Sequence, residues 1–504
     1  MRRSDSPATR PFDRAARALV AAAAVAGLAL VVTRARLVGF TYDEAYTWFH
    51  YLRAPLGVVL GFAGGADANN HSLNSLLMTA ASAVFGDSEL ALRLPNVLAF
   101  VGYAAAVAAI AGKLRHALAK VATATLLLLN PFVIELFSMA RGYGLALALS
   151  TGSLAALIAR ASPDRRTSRA VAAVALAGLA VVASLTFLDF FLAVFLVALV
   201  TALSGRESNG VAARRARVTA LVAIGSPVAA WSALAIWRLR ARGQLYYGGT
   251  KGFWADTVDS LIRCTLYLRE YGPAVGVALR AAVIVAIALA VWAAWRNGSR
   301  RPDGSRFGTL AMVLTILLLG CLLGVAAHSV FDTPFRLNRT AVWILPVFFV
   351  LAGLVLDDAL SSESGIVRPA AAIVCGLIAV AAIVHFAVSA NVRYAILQFH
   401  DADTKEAIAD LERGERSRNP AAKVSLFASW ELRPSVDYYR VTRGLGWLTT
   451  PESPSGVDAA FVSPKDAASL TGMRVEKKYP LTGNLLAGRS AGERHEDGAA
   501  PEPP

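Results

Sequence analysis

Long apolar runs separated by short polar loops fill the first 390 residues of the chain. A helix needs about 20 mostly apolar residues to cross a bilayer. The run 169–204 is too long for one span and divides near Asp189, whereas 73–86 is too short and predicts an interfacial or re-entrant helix. The segments that predict transmembrane helices are roughly 16–33, 92–112, 120–138, 142–159, 169–187, 188–204, 218–237, 273–294, 308–327, 340–357 and 369–389.

The pattern changes after residue 390, where apolar residues become sparse and alternate with charged ones. "DADTKEAIADLERGE" predicts an exposed helix with Asp401 or Asp403 as N-cap,. "KVSLFAS", "DAAFVSP" and "RVEKKYPL" predict short strands,. We therefore expect a membrane module over 1–390, a small α/β domain over 391–487 and a disordered tail over 488–504,.

Composition agrees with a membrane protein and argues against nucleic-acid binding. Hydrophobic residues make up 56% of the 504 positions and charged residues only 17%, against about 25% charged in soluble proteins. The net charge of +15 resides in short Lys/Arg clusters between apolar runs, which is the distribution that membrane topology produces. The apolar N-terminal stretch has no clear cleavage site and predicts a first transmembrane helix.

The positions of the basic clusters predict the orientation of the chain. With eleven spans, the clusters before the first span and after the second, fourth, sixth and eighth all lie on one face. Lys and Arg accumulate on the cytoplasmic side, so the N-terminus is expected inside a multi-pass protein of the inner or plasma membrane. Loops 34–91, 238–272 and 328–339 and the C-terminal domain are then extracytoplasmic.

The stretch "TYDEAYTWFH" (41–50) places two carboxylates where the chain leaves its first span. Thr41 and Glu44 have the spacing of a capping box, and Asp43 would favour the helix dipole, so both acids could serve only to start a helix. On that helix Asp43 also shares a face with Tyr46 and His50, which suits sugar hydroxyls. Alternatively, Asp43 and Glu44 could hold a divalent cation such as Mg or Mn, because hard cations prefer carboxylate oxygens.

Four stretches, in this order, resemble the GT-C membrane glycosyltransferases. They are "YDEAYTW", "NNHSLNSLLMTAASAVFGDSELALRLPN", "ELFSMARGYGLAL" and "TPFRLNRTAVWILP". The similarity covers roughly residues 16–390 and is specifically to the bacterial family-39 branch, related to protein O-mannosyltransferases and aminoarabinose transferases. In one departure, Ser72 and Leu73 follow His71, where many relatives have a Pro-Pro pair.

This resemblance implies a fold and an activity. The fold would be an all-α polytopic GT-C-like membrane protein with about 11 transmembrane helices, followed by the small α/β extracytoplasmic domain. The activity would be transfer of a hexosyl or pentosyl group from a polyprenyl-phosphate-linked donor to a glycan, lipid or protein acceptor outside the membrane. Asp43 matches the acidic residue that helps the acceptor hydroxyl attack the anomeric carbon, and Glu44 lies beside it.

Further candidates follow from the need to bind a lipid phosphate and a sugar. Arginine's planar fork suits phosphate, although arginines near a membrane also snorkel to lipid headgroups. Asp189 is an ionisable residue near the outer end of a span, where function is suspected, or else part of a solvated turn. The candidate binding residues are Asn70, His71, Arg93, Arg141, Tyr143, Asp189, Arg336 and Arg339.

Two other functions remain open from the sequence. A transporter or flippase for lipid-linked sugars would be built from repeated halves, and no internal repeat is visible. A non-catalytic scaffold for envelope assembly would need neither carboxylate.

Overall fold

The structure is a computed structural model that describes residues 10–159, 163–204, 210–300, 307–418 and 423–489. Helices α1 to α18 span Arg10–Leu37, Tyr42–Tyr51, Leu56–Val59, Ser72–Phe85, Glu89–Ala111, Ala117–Leu128, Pro131–Phe137, Gly142–Ile158, Pro163–Ala183, Leu188–Ser204, Gly210–Ala241, Asp259–Thr265, Pro273–Arg300, Phe307–Phe331, Ile344–Ala359, Val367–Ser389, Thr404–Arg418 and Arg433–Thr442. Strands β1 to β5 span Val424–Ala428, Leu448–Thr449, Ala459–Val462, Arg474–Lys478 and Leu485–Gly488.

Every apolar segment expected to cross the membrane coincides with a helix or, in one case, with a helix pair. Among the described residues, α1, α5, α10, α11, α13, α14 and α16 are each long and apolar enough to span a bilayer. Helices α6 and α7 form an eighth candidate, bent by 52° where Asn130 and Pro131 interrupt the run. Helices α8, α9 and α15 are shorter. The expected multi-pass membrane protein is confirmed.

The long helices expose their apolar side chains, as lipid-facing helices do. Only 6% of the most apolar window of α13 and 11% of that of α16 are buried within the protein. A soluble protein rarely exposes apolar patches of this extent, so the exposed surface requires an apolar solvent. Helix α4, with 14 residues, is too short to cross, as expected from its sequence.

The described residues form two compact units. The first consists of the residues up to Thr33, Ala54–Ala80 and Arg93–Ala390. The second consists of Arg34–Arg53, Ala81–Leu92 and the residues from Asn391 onward. The second unit therefore includes, in addition to the C-terminal segment, two pieces of the chain between residues 34 and 92.

A five-stranded sheet of order β2-β1-β3-β5-β4 lies in the second unit. Strand β1 pairs in parallel with β2 and β3, and β5 pairs antiparallel with β3 and β4. Strands β1, β3 and β4 and helix α17 confirm the elements expected from sequence. Asp403 precedes α17 at the cap position, but its carboxylate accepts hydrogen bonds from the amide and hydroxyl of Thr482 instead. The tail expected to be disordered lies, from residue 490, outside the described residues.

Candidate functional site

The sequence-predicted site residues fall into two groups, one in each unit. The second unit holds the acidic pair, Asp43 and Glu44, in the first turn of α2. The first unit holds the remaining candidates, which are Asn70, His71, Arg93, Arg141, Tyr143, Asp189, Arg336 and Arg339.

Glu44 closes the capping box that its spacing predicted. The amide and the hydroxyl of Thr41 each donate a hydrogen bond to Glu44 Oε2 at 3.0 Å. The Glu44 side chain is fully buried, so these bonds also satisfy a carboxylate that would be costly to bury alone,. This geometry gives Glu44 a role in starting the helix that carries Asp43.

The entry to α2 is held by residues from the C-terminal segment. The amide of Tyr42 donates to Asp401 Oδ2 at 2.6 Å, and the amide of Phe40 donates to the Tyr439 hydroxyl at 2.7 Å. The ring of Phe40 stacks on Tyr438 with centroids 4.0 Å apart. The sequence suggested Asp401 only as a cap for α17, because nothing local relates it to a helix some 360 residues earlier.

Asp43 is 8% exposed and belongs to a group of titratable side chains in the second unit. His400 Nε2 lies 3.3 Å from Asp401 Oδ2. Burial alone would lower the pKa of His400, but the adjacent Asp401, with the charges of Glu431 and Asp43, outweighs it and raises that pKa. Burial raises the pKa of Asp401. His400 and the Tyr42 amide oppose this shift, because both favour the ionised carboxylate, but burial has the larger effect. Sequence reasoning missed His400 and Glu431, since neither lies in a recognisable motif.

A metal ion finds few ligands at the acidic pair. In the part of the chain that the structure describes, no three His, Cys, Asp or Glu side chains come together in a group that could hold an ion. One oxygen of Glu44 is already occupied by Thr41. Among the described residues, the acidic pair therefore lacks the ligand set of a cation site.

A cleft of about 480 Å³ in the second unit is lined by Trp48 of α2, by α18 and by the residues before α5. Its charged lining residues all have ion-pair partners. Lys405 Nζ lies 2.7 Å from Glu89, Arg53 lies 3.7 Å from Asp87, and Arg443 lies 3.8 Å from Glu412. The charges of the cleft walls are therefore compensated by ion pairs within the protein.

Four of the first unit's candidates form one cluster, which we call the His71 cluster: His71, Arg141, Tyr143 and Arg339. The rings of His71 and Tyr143 meet edge to face with centroids 4.8 Å apart. The Arg339 guanidinium lies 5.8 Å from the ring centroids of both Tyr143 and Tyr247. Burial, followed by the charges of Arg141 and Arg339, lowers the pKa of His71 well below its usual value. The hydrogen bond with the backbone of Ala183 raises this pKa, but by less. His71 is therefore neutral, and the positive charge of the cluster comes from arginine.

Glycine in the motif "RGYG" permits the close packing of this cluster. A Cβ atom on Gly142 would lie 1.8 Å from the Ala183 carbonyl oxygen and 2.8 Å from His71 Nδ1. A Cβ atom on Gly144 would lie 2.7 Å from Asn96 Oδ1. No side chain fits at either position, so the glycines let α8 begin directly against His71.

The loop before His71 is fixed by hydrogen bonds. The Asn70 amide and the Ser72 hydroxyl both donate to the Val59 carbonyl, at 2.8 and 2.6 Å. Trp231 donates to the Leu60 carbonyl at 2.7 Å, and Arg238 donates to that of Gly61. Asn70 thus has a structural role, and these bonds restrain the loop where many relatives have two prolines.

Two further candidates, Asp189 and Arg336, form an ion pair in the first unit. Arg336 Nε lies 3.2 Å from Asp189 Oδ2, and Thr257 donates to the Arg336 carbonyl at 2.6 Å. A carboxylate near the end of a span is costly without such a partner. The pair lines a small cavity of about 10 Å³.

Arg93 lies fully buried in α5, one turn before a polar network that sequence reasoning overlooked. Asn96 donates to Asn74 Oδ1 at 2.8 Å and accepts from the amide of Leu145 at 3.0 Å. Asn74 donates to the carbonyl of Ala140 at 3.0 Å. Both asparagines belong to the quoted stretch 69–96, where their buried amides tie three helices together.

Replacement of Gly142 by Ala should destabilise the protein, because the new methyl group overlaps the Ala183 carbonyl. Overpacking of this kind costs about 1–3 kcal/mol. Gly152→Ala in the same helix is the control, since its Cβ meets only Leu176 at an ordinary 3.6 Å. Thermal unfolding in detergent should separate the two variants, and equal midpoints would contradict the packing argument.

His71 should make stability depend on pH. The unfolded chain protonates this residue near pH 6.5, but the folded chain does so only at lower pH. Below about pH 6.5 the unfolded state therefore binds more protons, and the free energy of unfolding falls by up to about 1.4 kcal/mol per pH unit. Unfolding midpoints between pH 7.5 and 5.5 should fall more steeply for the wild type than for His71→Gln. His400 is present in both proteins, so its contribution cancels in the comparison. Parallel curves for the wild type and His71→Gln would refute the assignment.

No protein-family model and no curated protein matches this chain. Solved structures do match over nearly its whole length. The apo crystal structure of ArnT from Cupriavidus metallidurans is 14% identical, with a TM-score of 0.54, and the match covers 95% of this chain and 99% of that one. The structure of the same protein bound to undecaprenyl phosphate is 12% identical, with a TM-score of 0.52 and coverage of 94% and 98%.

A weaker match is the Archaeoglobus fulgidus oligosaccharyltransferase, at 12% identity and a TM-score of 0.41, covering 95% of this chain and 74% of that one. The match to ArnT, in contrast, covers nearly the full length of both chains. The GT-C-like fold that the sequence predicted is confirmed, because this chain shares the fold of ArnT.

Proposed function

We propose that this chain is an integral membrane glycosyltransferase that transfers a sugar from a polyprenyl-phosphate-linked donor to an acceptor outside the membrane. The observation that carries the proposal is the shared fold over 95% of the chain with ArnT, a protein whose structure was also solved with undecaprenyl phosphate bound. Fold alone does not determine chemistry, so the proposal also depends on the two groups of residues described above.

The His71 cluster is suited to the donor phosphate. Two arginine charges act on a neutral, buried imidazole that packs against the Tyr143 ring, so positive charge is concentrated where water is scarce. Charge-assisted hydrogen bonds from arginine to phosphate are the strong ones in such a setting. We assign Arg141 and Arg339 to the phosphate and His71 and Tyr143 to their positioning.

Asp43 is assigned to the acceptor. The acceptor hydroxyl oxygen forms a bond to the anomeric carbon while its proton passes to the Asp43 carboxylate. The bond from the anomeric carbon to the phosphate oxygen breaks, and the polyprenyl phosphate leaves with the electron pair. A positioned carboxylate contributes about 10²–10⁴-fold to such a step.

The alternative functions make different demands. A flippase or transporter for lipid-linked sugars would use inverted repeats around a mid-membrane site, and the chain shows no repeat in its sequence. A scaffold would not need a buried carboxylate in a positioned helix. Asp43 is what distinguishes the enzyme from both alternatives.

Asp43→Asn should abolish sugar transfer without loss of donor binding. Mass spectrometry of envelope glycans from a deletion strain should show a species that wild-type protein restores and Asp43→Asn does not. Transfer by the variant should fall about 10²–10⁴-fold, while native mass spectrometry still detects bound polyprenyl phosphate. Glu452→Gln is the control, because this carboxylate lies in the same unit and its side chain is 91% exposed. Full restoration by Asp43→Asn would favour a carrier or a scaffold.

The proposal also places the C-terminal unit outside the membrane, from the distribution of basic residues between spans. Alkaline phosphatase fused after residue 489 should be active, and green fluorescent protein fused there should not fluoresce. The same reporters inserted between Ser204 and Gly210, a position expected in the cytoplasm, should give the opposite result. Fluorescence from the C-terminal fusion would overturn the orientation and the extracytoplasmic reaction with it.

A further inference from the structure

Four aromatic rings, two exposed and two half-buried, form a surface in the second unit, which we call the aromatic platform: His50 and Trp430, and Tyr42 and Tyr46. Tyr42, Tyr46 and His50 recur at every fourth position of α2 and so form one row along the helix. Ring centroids of Tyr42 and Tyr46 are 6.2 Å apart, and those of Tyr46 and His50 are 3.9 Å apart, with nearly parallel planes. Trp430 meets Tyr42 edge to face at 5.9 Å and is 71% exposed.

Trp430 stands at the position of the sheet where ligands commonly bind. Strand β1 leads through α18 to β2 on one side, and β3 lies on the other side of β1. This reversal makes the carboxyl ends of β1 and β3 a topological switch point, where open α/β sheets bind their ligands. Trp430 and Glu431 follow β1 directly, and Ser463 follows β3.

The turn that carries Trp430 is rigid. The amide of Leu432 donates to the Ser429 carbonyl at 2.8 Å, and the amide of Ser463 donates to the Ser429 hydroxyl at 3.0 Å. Leu432 is fully buried. The large indole is thus presented to solvent by a fixed backbone, and its exposure is a property of the fold.

Polar groups accompany the rings. Glu431 is largely buried and lies 3.5 Å from Lys465. Its charge and that of Asp43 both act on His400, which lies 3.3 Å from Asp401. Carboxylates accept hydrogen bonds, whereas an imidazole can donate them. The platform is therefore flanked by the groups that recognise hydroxyls.

The chemistry of this surface selects among ligands. Aromatic faces pack against the C–H face of a sugar ring, while carboxylates accept bonds from its hydroxyls. A lipid chain or an apolar peptide would accept or donate none of these hydrogen bonds and would contact only the aromatic faces. An anionic ligand would be repelled by the same carboxylates.

We propose that the aromatic platform and the Trp430–Glu431 turn bind the acceptor as a neutral saccharide, whose hydroxyl is presented to Asp43. The inference rests on the proposed function only for the role of Asp43. The binding of a sugar to Trp430 does not depend on catalysis, so the two can fail separately.

Binding of sugars to the full chain in neutral-lipid nanodiscs tests this site. The probes are neutral trisaccharides of gluco, manno, galacto and arabino configuration, with trigalacturonate as the anionic comparison, detected by saturation-transfer NMR. At least one neutral probe should bind the wild type. Trp430→Ala should weaken that binding roughly fivefold to tenfold, as expected for loss of an aromatic contact. Trp430→Phe should restore most of it.

Trp295→Ala is the matched control, because Trp295 is also 71% exposed but lies in the apolar helix α13. It should bind the probe as the wild type does. The site is refuted if no neutral probe binds, if trigalacturonate binds in their place, or if Trp430→Ala binds normally. If Trp430→Ala loses the sugar while Asp43→Asn still restores envelope glycans, the saccharide site stands and the transferase proposal fails. If Trp430→Ala binds the sugar normally while Asp43→Asn fails to restore envelope glycans, the transferase proposal stands and the saccharide site fails.

Discussion

The hydrogen bond from the Tyr42 amide to the buried Asp401 carboxylate fixes the helix on which the proposed chemistry depends. Helix α2 has only ten residues, and isolated helices shorter than about 12–15 residues are marginal in water. Contacts with the rest of the second unit must therefore stabilise its helical conformation. These contacts are the capping box at its start, the Asp401 carboxylate and the stacking of Phe40 on the Tyr438 ring. The C-terminal segment thereby has a definite role, since it builds the first turn in which Asp43 lies.

Buried ionisable side chains in this protein are either paired with a group of opposite charge or electrically neutral. Asp189 meets Arg336, and Asp401 meets His400 and the Tyr42 amide, so neither carboxylate is left uncompensated. His71 takes the other course and stays neutral beside Arg141 and Arg339. Because burial of an unpaired charge is far more costly than burial of a paired one, these arrangements restrict which side chains remain to meet a ligand.

Local sequence rules predicted what depends on neighbours along the chain. The spans follow from runs of apolar residues, the capping box from the spacing of Thr41 and Glu44, and three strands from alternation. Strand β2, with two residues, and β5, with four, carry too little pattern to be recognised. Helices α8 and α15 and the apolar part of α9, Thr167–Ala183, match their predicted segments but are shorter than a full span, which hydropathy alone does not reveal.

The site residues show the same division. The sequence identified the motif "RGYG" by its resemblance to a family motif. Only the structure shows why Gly142 is required, because Ala183 and His71 pack against it and leave no room for a side chain. No local pattern identifies Trp430, Glu431 or His400. Their proposed roles depend on their position at the switch point of the sheet and on the charges around α2.

The sequence by itself determined a multi-pass membrane protein, its likeness to GT-C enzymes and the carboxylate at the start of α2. The tertiary structure alone decided that α2 is capped by a residue near the other end of the chain, and which arginines surround His71. Periodicity and hydropathy act between neighbours, whereas pairing of buried polar groups depends on contacts that no local pattern encodes.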